Sequence, residues 1–145
     1  MTVQRILDSQ QTAERTYIAP DAKIRDALNA LALRDVGALV VSTDGDKVEG
    51  IISERDIVRG LQKSDAGLLD KPVRELMTEE VFTCVATDRA AGIMAAMVSR
   101  HLRHVPVIED GKFVSMISIR DLLQLRLTEV QSEADAMRSY IAGGA

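Results

Sequence analysis

Aromatic residues are scarce in this chain, at 3% of 145 positions, with two Tyr, two Phe and no Trp. Any core must therefore be aliphatic, and the aromatic platforms on which single-stranded nucleic acid stacks are excluded. Cysteine occurs once, as Cys84, so no internal disulfide can form and nothing points to an oxidising compartment. Positive charge is in deficit: 18 Lys and Arg face 22 Asp and Glu, for a net charge of −4 and a pI ≈ 5.2. That balance argues against binding a nucleic-acid backbone. No apolar run approaches the roughly 18 residues of a spanning helix, and the opening Met1 to Ile6 lacks the basic start and apolar stretch of an export signal. The expected location is the cytoplasm, with neither membrane nor nucleic acid as partner.

What is present is an ordinary globular balance: 46% hydrophobic, 28% charged, and a mean hydropathy of +0.01. A chain of this length buries roughly 68% of its unfolded surface, so it needs no covalent staple.

The chain also repeats itself. Gly50-Ile51-Ile52-Ser53-Glu54-Arg55-Asp56 returns as Ser115-Met116-Ile117-Ser118-Ile119-Arg120-Asp121, in each case an apolar run closing on Ser-x-Arg-Asp. The repeat extends upstream. Tyr17-Ile18-Ala19 and Cys84-Val85-Ala86 have strand character and lead into the helix-start signals Pro20-Asp21 and Thr87-Asp88. Helical spacing follows at Ile24, Leu28 and Leu31, and again at Ile93, Met97 and Val98. Ala38 to Val41 and Val105 to Ile108 then read as strands ending at the turns Asp44-Gly45 and Asp110-Gly111. A short helix-like opening, Val3 to Leu7, reappears as Val73 to Met77, and the insertions between copies fall mainly at Asp8 to Arg15.

Each unit is therefore strand, helix, strand, strand, helix. The expected organisation is a first unit over residues 1–61, a linker over 62–72 closed by Pro72, a second unit over 73–127, and a C-terminal helix with a frayed tail over 128–145. Two such small units bury enough surface only by packing face to face, which makes an α/β fold of two pseudo-two-fold-related lobes around one core with a cleft between them.

An apolar strand ending in Gly or a small residue, an apolar pair, Ser, two further residues and Asp, together with Arg103-His104-Val105-Pro106-Val107 in the second copy, resembles a tandem pair of cystathionine-β-synthase (CBS) domains from about Val3 to Leu127. The resemblance implies a non-catalytic regulatory module, free-standing here, that binds AMP, ADP, ATP, NAD(H) or S-adenosylmethionine between its lobes. It assigns the ribose hydroxyls to Asp56 and Asp121 and the hydroxyl contacts to Ser53 and Ser118. Arg103 and His104 match the family's basic approach to the cleft and become phosphate partners. The adenine walls map to Tyr17, Ile18, Cys84, Val85, Ile52 and Ile117.

The residues themselves leave two readings open. Ser53-x-x-Asp56 and Ser118-x-x-Asp121 are also capping boxes, in which Ser accepts from a backbone N–H and the acid answers back. Arg55 and Arg120 tip the balance toward an anion, because a cation in a first helical turn opposes the helix dipole by roughly 0.3–1 kcal/mol. The copies differ: Glu54 stands where the second copy has Ile119, and Arg34-Asp35-Val36-Gly37-Ala38 where it has Arg100-His101-Leu102-Arg103-His104. Unequal sites are expected. No spacing of Cys84, His101, His104 and the carboxylates matches a catalytic or metal signature, so no enzyme is expected.

The final helix continues through Leu123, Leu127, Val130, Ala134, Met137 and Ile141, in steps of 4, 3, 4, 3 and 4, rimmed by Arg126, Glu129, Glu133 and Arg138. Such a stripe suits a partner helix, and a homodimer formed partly through it is expected. An unidentified target protein would read the sensor; a structural dimerisation scaffold without a ligand is the alternative.

Overall fold

A computed structural model describes residues 1–10 and 15–144. The chain runs α1 (Val3–Ser9), β1 (Tyr17–Ile18), α2 (Ile24–Arg34), β2 (Ala38–Val41), β3 (Gly50–Ser53) and α3 (Glu54–Lys63). Two 3₁₀ turns follow, Ala66–Asp70 and Val73–Glu75, and then α4 (Ala90–Arg100), β4 (His104–Glu109), β5 (Lys112–Ser118) and α5 (Ile119–Gly143). The α/β fold of two related units with a long final helix is as the repeat implies. Of the insertion expected at Asp8 to Arg15, residues 11–14 lie outside the described residues, as does Ala145 of the expected frayed tail.

Both units carry the same pairing. In the first, β1 runs parallel to β2, with Tyr17 opposite Val40, and β2 runs antiparallel to β3, with Ala38 opposite Ser53. In the second, β4 pairs antiparallel with β5, setting His104 opposite Ser118. The strand expected at Cys84 to Ala86 reduces to one parallel bridge, Cys84 to Val107. The β4–β5 hairpin turns on Asp110 and Gly111, both at positive φ (51° and 78°), the geometry a two-residue hairpin loop needs. The helices after β1 and Cys84 start later than Pro20-Asp21 and Thr87-Asp88 suggest. Those residues are spent on turns: Ala22 N–H donates to the Ala19 carbonyl at 3.1 Å, and Asp88 accepts from Val85 N–H at 2.9 Å.

The expected single core resolves into two. Ile24, Ala27, Leu31, Leu39, Val41, Ile52 and Ile57 close the first, and Cys84, Ile93, Met97, Val105, Val107, Ile117 and Leu122 the second. The openings of the repeats are exchanged between them. Val3 and Ile6 of α1 sit in the second core, while Val73 of the second 3₁₀ turn sits in the first with Leu68. Main-chain bonds fix the exchange: Val3 N–H donates to the Asp88 carbonyl at 2.9 Å, and Val73 N–H to the Ala22 carbonyl at 2.8 Å. Each lobe thus gains its outer layer from the sequence that precedes the other.

Candidate functional site

Both Ser-x-Arg-Asp motifs sit where a strand turns into a helix. Ser53 has an extended backbone and caps α3: its Oγ accepts from Asp56 N–H at 3.2 Å, and Asp56 Oδ2 accepts from Ser53 N–H at 2.9 Å. Ser118 and Asp121 repeat this at the start of α5, at 3.2 and 2.8 Å. The capping box is therefore real in both copies. It engages Oδ2 of each aspartate; among the described residues no hydrogen bond engages Oδ1 of either. Arg55 and Arg120 fall in the first turns of these helices, as the spacing requires.

The two motifs open onto one cleft between the units, which divides into two joined cavities. The smaller, about 400 Å³, is bordered by Ser53, Glu54 and Arg55 of the first motif and by His101 to His104 of the second unit. The larger, about 840 Å³, is bordered by Ser118 to Asp121 and by Asp35 to Ala38 of the first unit, and runs along β5 to Ser115, Phe113 and Gln10. Gly37, Ala38, Glu54, Arg103 and His104 border both. Each motif thus faces the loop that enters the other unit's sheet. Those two loops start alike: Asp35 and His101 end α2 and α4 in the left-handed conformation, at φ 51° and 57°.

The cavities differ at their strand edges. Ile51 on the β3 edge exchanges both main-chain bonds with Thr78, at 3.0 and 2.9 Å, and Met77 packs against Gly50. On β5, among the described residues, no main-chain bridge covers the corresponding Met116. Its carbonyl accepts from the Gln10 side chain at 3.4 Å, and Ser115 Oγ donates to Gln10 Oε1 at 2.8 Å. Among the described residues, the larger cavity is thus the one whose strand edge carries no main-chain bridge.

Charge is shared unevenly. Arg55 and Arg103 face Glu54 in the smaller cavity; Arg103 and Arg120 are joined by Asp35, Glu54 and Asp121 in the larger. His104 is half-buried, and burial lowers its pKa below 6.5 against the opposing pull of Asp121 and Glu54, with Arg103 lowering it further. The ring is therefore neutral near pH 7.

Ser53, Arg55, Ser118, Arg120, Asp121, Arg103 and His104 border the cleft, and Asp56 caps beside it. The six residues expected as adenine walls do not border either cavity. Ile52 and Ile117 have no exposed surface, and Cys84 and Ile18 pack with the two cores. Tyr17 lies over the turn at Gly45, and Val85 N–H donates to Asp88 Oδ2. For Ile52 and Ile117 the reason is strand parity: successive side chains point to opposite faces, so where these two point inward, their neighbours Ile51 and Met116 face the cleft. Burial, aided by Asp88, pushes the Cys84 thiol up to about 12, leaving it protonated and unreactive. Sequence reasoning missed Gln10, Gly37, Ser115 and Met116; only the insertion after Asp8 hinted that this edge would differ.

A strand-to-helix capping box, repeated about a pseudo-two-fold axis with the entry loops crossed over the cleft, defines a tandem α/β pair. The CBS-domain family model matches residues 12–63 and 73–128, and the chain belongs to that family. It is 32% identical to the mitochondrial CBS-domain-containing protein CBSX3 of Arabidopsis thaliana, an alignment spanning 99% of this chain and 73% of that protein. The structure of a CBS-domain-containing protein from Agrobacterium tumefaciens superposes with a TM-score of 0.82 at 32% identity, covering 87% of this chain and 99% of that one. Two more distant pairs share the fold with ligands bound. CBSX2 in complex with AMP superposes at TM-score 0.71 and 23% identity, covering 88% and 96% of the two chains. The pair of protein MJ0100, in complex with 5′-methylthioadenosine and S-adenosyl-L-methionine, superposes at 0.72 and 22%, covering 86% and 98%. Among the described residues no helix is long and apolar enough to cross a membrane.

Proposed function

We propose that this protein is a non-catalytic sensor that binds an adenine nucleotide in the interlobe cleft, mainly in the cavity of the second motif. The observation that carries the reading is the joined cleft itself: two capped helix starts, each keeping one aspartate oxygen outside its cap, meet beside Arg103 and His104. The ribose hydroxyls donate to Asp121 Oδ1, the base lies along the accessible β5 edge, and phosphates pass over the seam toward Arg103 and Arg55. Asp56 plays the ribose role if a second ligand enters the smaller cavity. The AMP and S-adenosylmethionine complexes of the two distant pairs support an adenosyl ligand as a class; AMP, ADP, ATP, NAD(H) and S-adenosylmethionine are the candidates.

A sensor needs two states that a ligand distinguishes. We place the readout in a homodimer acting on a separate target protein, in the cytoplasm. The second reading, a dimerisation scaffold without a ligand, is favoured by the exposed stripe on α5, where Leu127 is 65% and Ile141 69% exposed. Thermal unfolding with AMP, ADP, ATP, NAD, NADH and S-adenosylmethionine separates the two. A ligand at 100 times its Kd adds about 2.7 kcal/mol, a rise of roughly 5–10 °C for a chain of this size. No rise with any of them supports the scaffold; turnover of any of them restores an enzyme.

A further inference from the structure

The helix α5 runs 25 residues where its counterpart α3 runs 10. Its first turns pack on the body of the protein: Leu122 is buried, and Leu125 and Glu129 are half-buried. A different face carries Leu123, Leu127, Val130, Ala134, Met137 and Ile141, and that stripe continues to the end of the helix. Met137 is 62% exposed. At 1.5 Å per residue the helix is about 37 Å long, and an apolar heptad stripe of that reach in water is the seam that another helix covers.

We propose that the stripe is covered by α5 of a second copy of this chain, parallel and in register. The inference rests on the homodimer reading above and adds its geometry. With Leu127, Ala134 and Ile141 at a positions and Leu123, Val130 and Met137 at d, the flanking g positions are Arg126, Glu133 and Tyr140, and the e positions are Gln124, Gln131 and Arg138. In a parallel pair each g residue meets the e residue of the next heptad on the other helix. Glu133 then meets Arg138 of the second copy on both sides, and Arg126 meets Gln131, with no like charges opposed. An antiparallel pair that covers the whole stripe sets Leu123 against Ile141 and brings the two Glu133 side chains together at its centre. Charge therefore selects the parallel arrangement. Arg138 is free to make the contact, since its partner on its own helix, Asp135 at 3.7 Å, is an exposed pair of little worth.

Cysteine cross-linking with sedimentation of the full chain tests this. Leu123→Cys and Ile141→Cys change exposed positions, and the buried Cys84 thiol stays out of the reaction. A parallel pair brings each new cysteine within bridging reach of itself, Cα atoms less than about 7 Å apart, so each variant alone forms a covalent dimer on mild oxidation. Cross-linking only when the two variants are mixed means an antiparallel pair, and overturns the register while the homodimer stands. A sedimenting dimer that cross-links in neither way uses another face, which also overturns the proposal. A monomer at micromolar concentration overturns the proposal and the homodimer together. Glu133→Arg weakens dimerisation about tenfold by opposing Arg138, and adding Arg138→Glu restores it; a double variant no better than the single one removes the charge pairing.

Discussion

Gly37 of the first unit lies under the imidazole of His104 in the second, so close that a Cβ on Gly37 would stand 2.7 Å from His104 Cε1 and 2.9 Å from Nε2. This contact is the seam of the cleft, since both residues border both cavities. Its close approach, rather than a turn, is what requires glycine here. Gly37→Ala must push the ring off its seat and is expected to cost about 1–3 kcal/mol, the usual range for overpacking. Adding His104→Ala removes the obstacle, so the double variant should be more stable than the two single losses predict. Additive losses in urea unfolding would show that the two residues do not bear on one another.

The same ring gives the protein a pH dependence of definite sign. Burial holds the folded pKa of His104 below the 6.5 of the free side chain, so the unfolded chain binds the proton first. The stability that comes from the neutral ring is complete above pH 6.5 and is lost as pH falls through the folded value. His104→Gln should flatten the fall in stability between about pH 7 and pH 5. An unchanged slope would place the acid sensitivity elsewhere. If phosphates occupy the seam they favour the imidazolium, and nucleotide affinity should then rise as pH falls over the same window.

The capping boxes and the proposed ribose contact separate on different readouts. Ser118→Ala removes the cap and a neutral hydroxyl on the cavity wall, so it should cost about 1 kcal/mol of stability and weaken nucleotide binding less than the loss of Asp121 does. Asp121→Ala removes the same cap and, with it, the unengaged Oδ1, so it should lose affinity at least about tenfold, as expected for a hydrogen bond to a charged group. Equal effects of the two changes on binding would reduce Asp121 to a structural role. Asp56→Ala, at the edge-covered site, should alter binding far less.

Glu54 supplies the test of inequality between the copies. It borders both cavities, where the second motif has Ile119. A carboxylate roughly 8 Å from a phosphate, at an effective dielectric of about 40, opposes it by about 1 kcal/mol. Glu54→Gln should thus tighten ATP more than AMP, with the gain fading at high salt. A uniform gain across both nucleotides would mean that Glu54 acts on shape and not on charge.

The strand-helix-strand-strand-helix unit was legible because its signals are local: apolar periodicity, Asp-Gly turns and a capping box repeated in order. The motif residues were legible for the same reason, since Ser53, Asp56, Ser118 and Asp121 act within four residues of one another. The walls of the cleft were not. Whether Ile51 or Ile52 faces the cleft turns on strand parity, which a run of consecutive apolar residues does not reveal. Gly37 beneath His104, and Gln10 on the β5 edge, are contacts between segments far apart in sequence, fixed only once the lobes are packed.

The exchanged openings are the other feature that local signals conceal, and they predict which lobe fails first. Ile6 is 3% exposed within the second core, although it stands at the head of the first repeat. Ile6→Ala should cost about 2–4 kcal/mol through the cavity it leaves. The loss should appear as faster amide exchange in β4 and β5, with β2 and β3 less affected. Val73→Ala, in the first core, should show the reverse pattern. If Ile6→Ala loosened β2 and β3 first, the openings would not be exchanged as the backbone bonds from Val3 to Asp88 and from Val73 to Ala22 indicate. The exchange also ties the lobes together, because neither can shed its outer layer without pulling on the chain that enters the other.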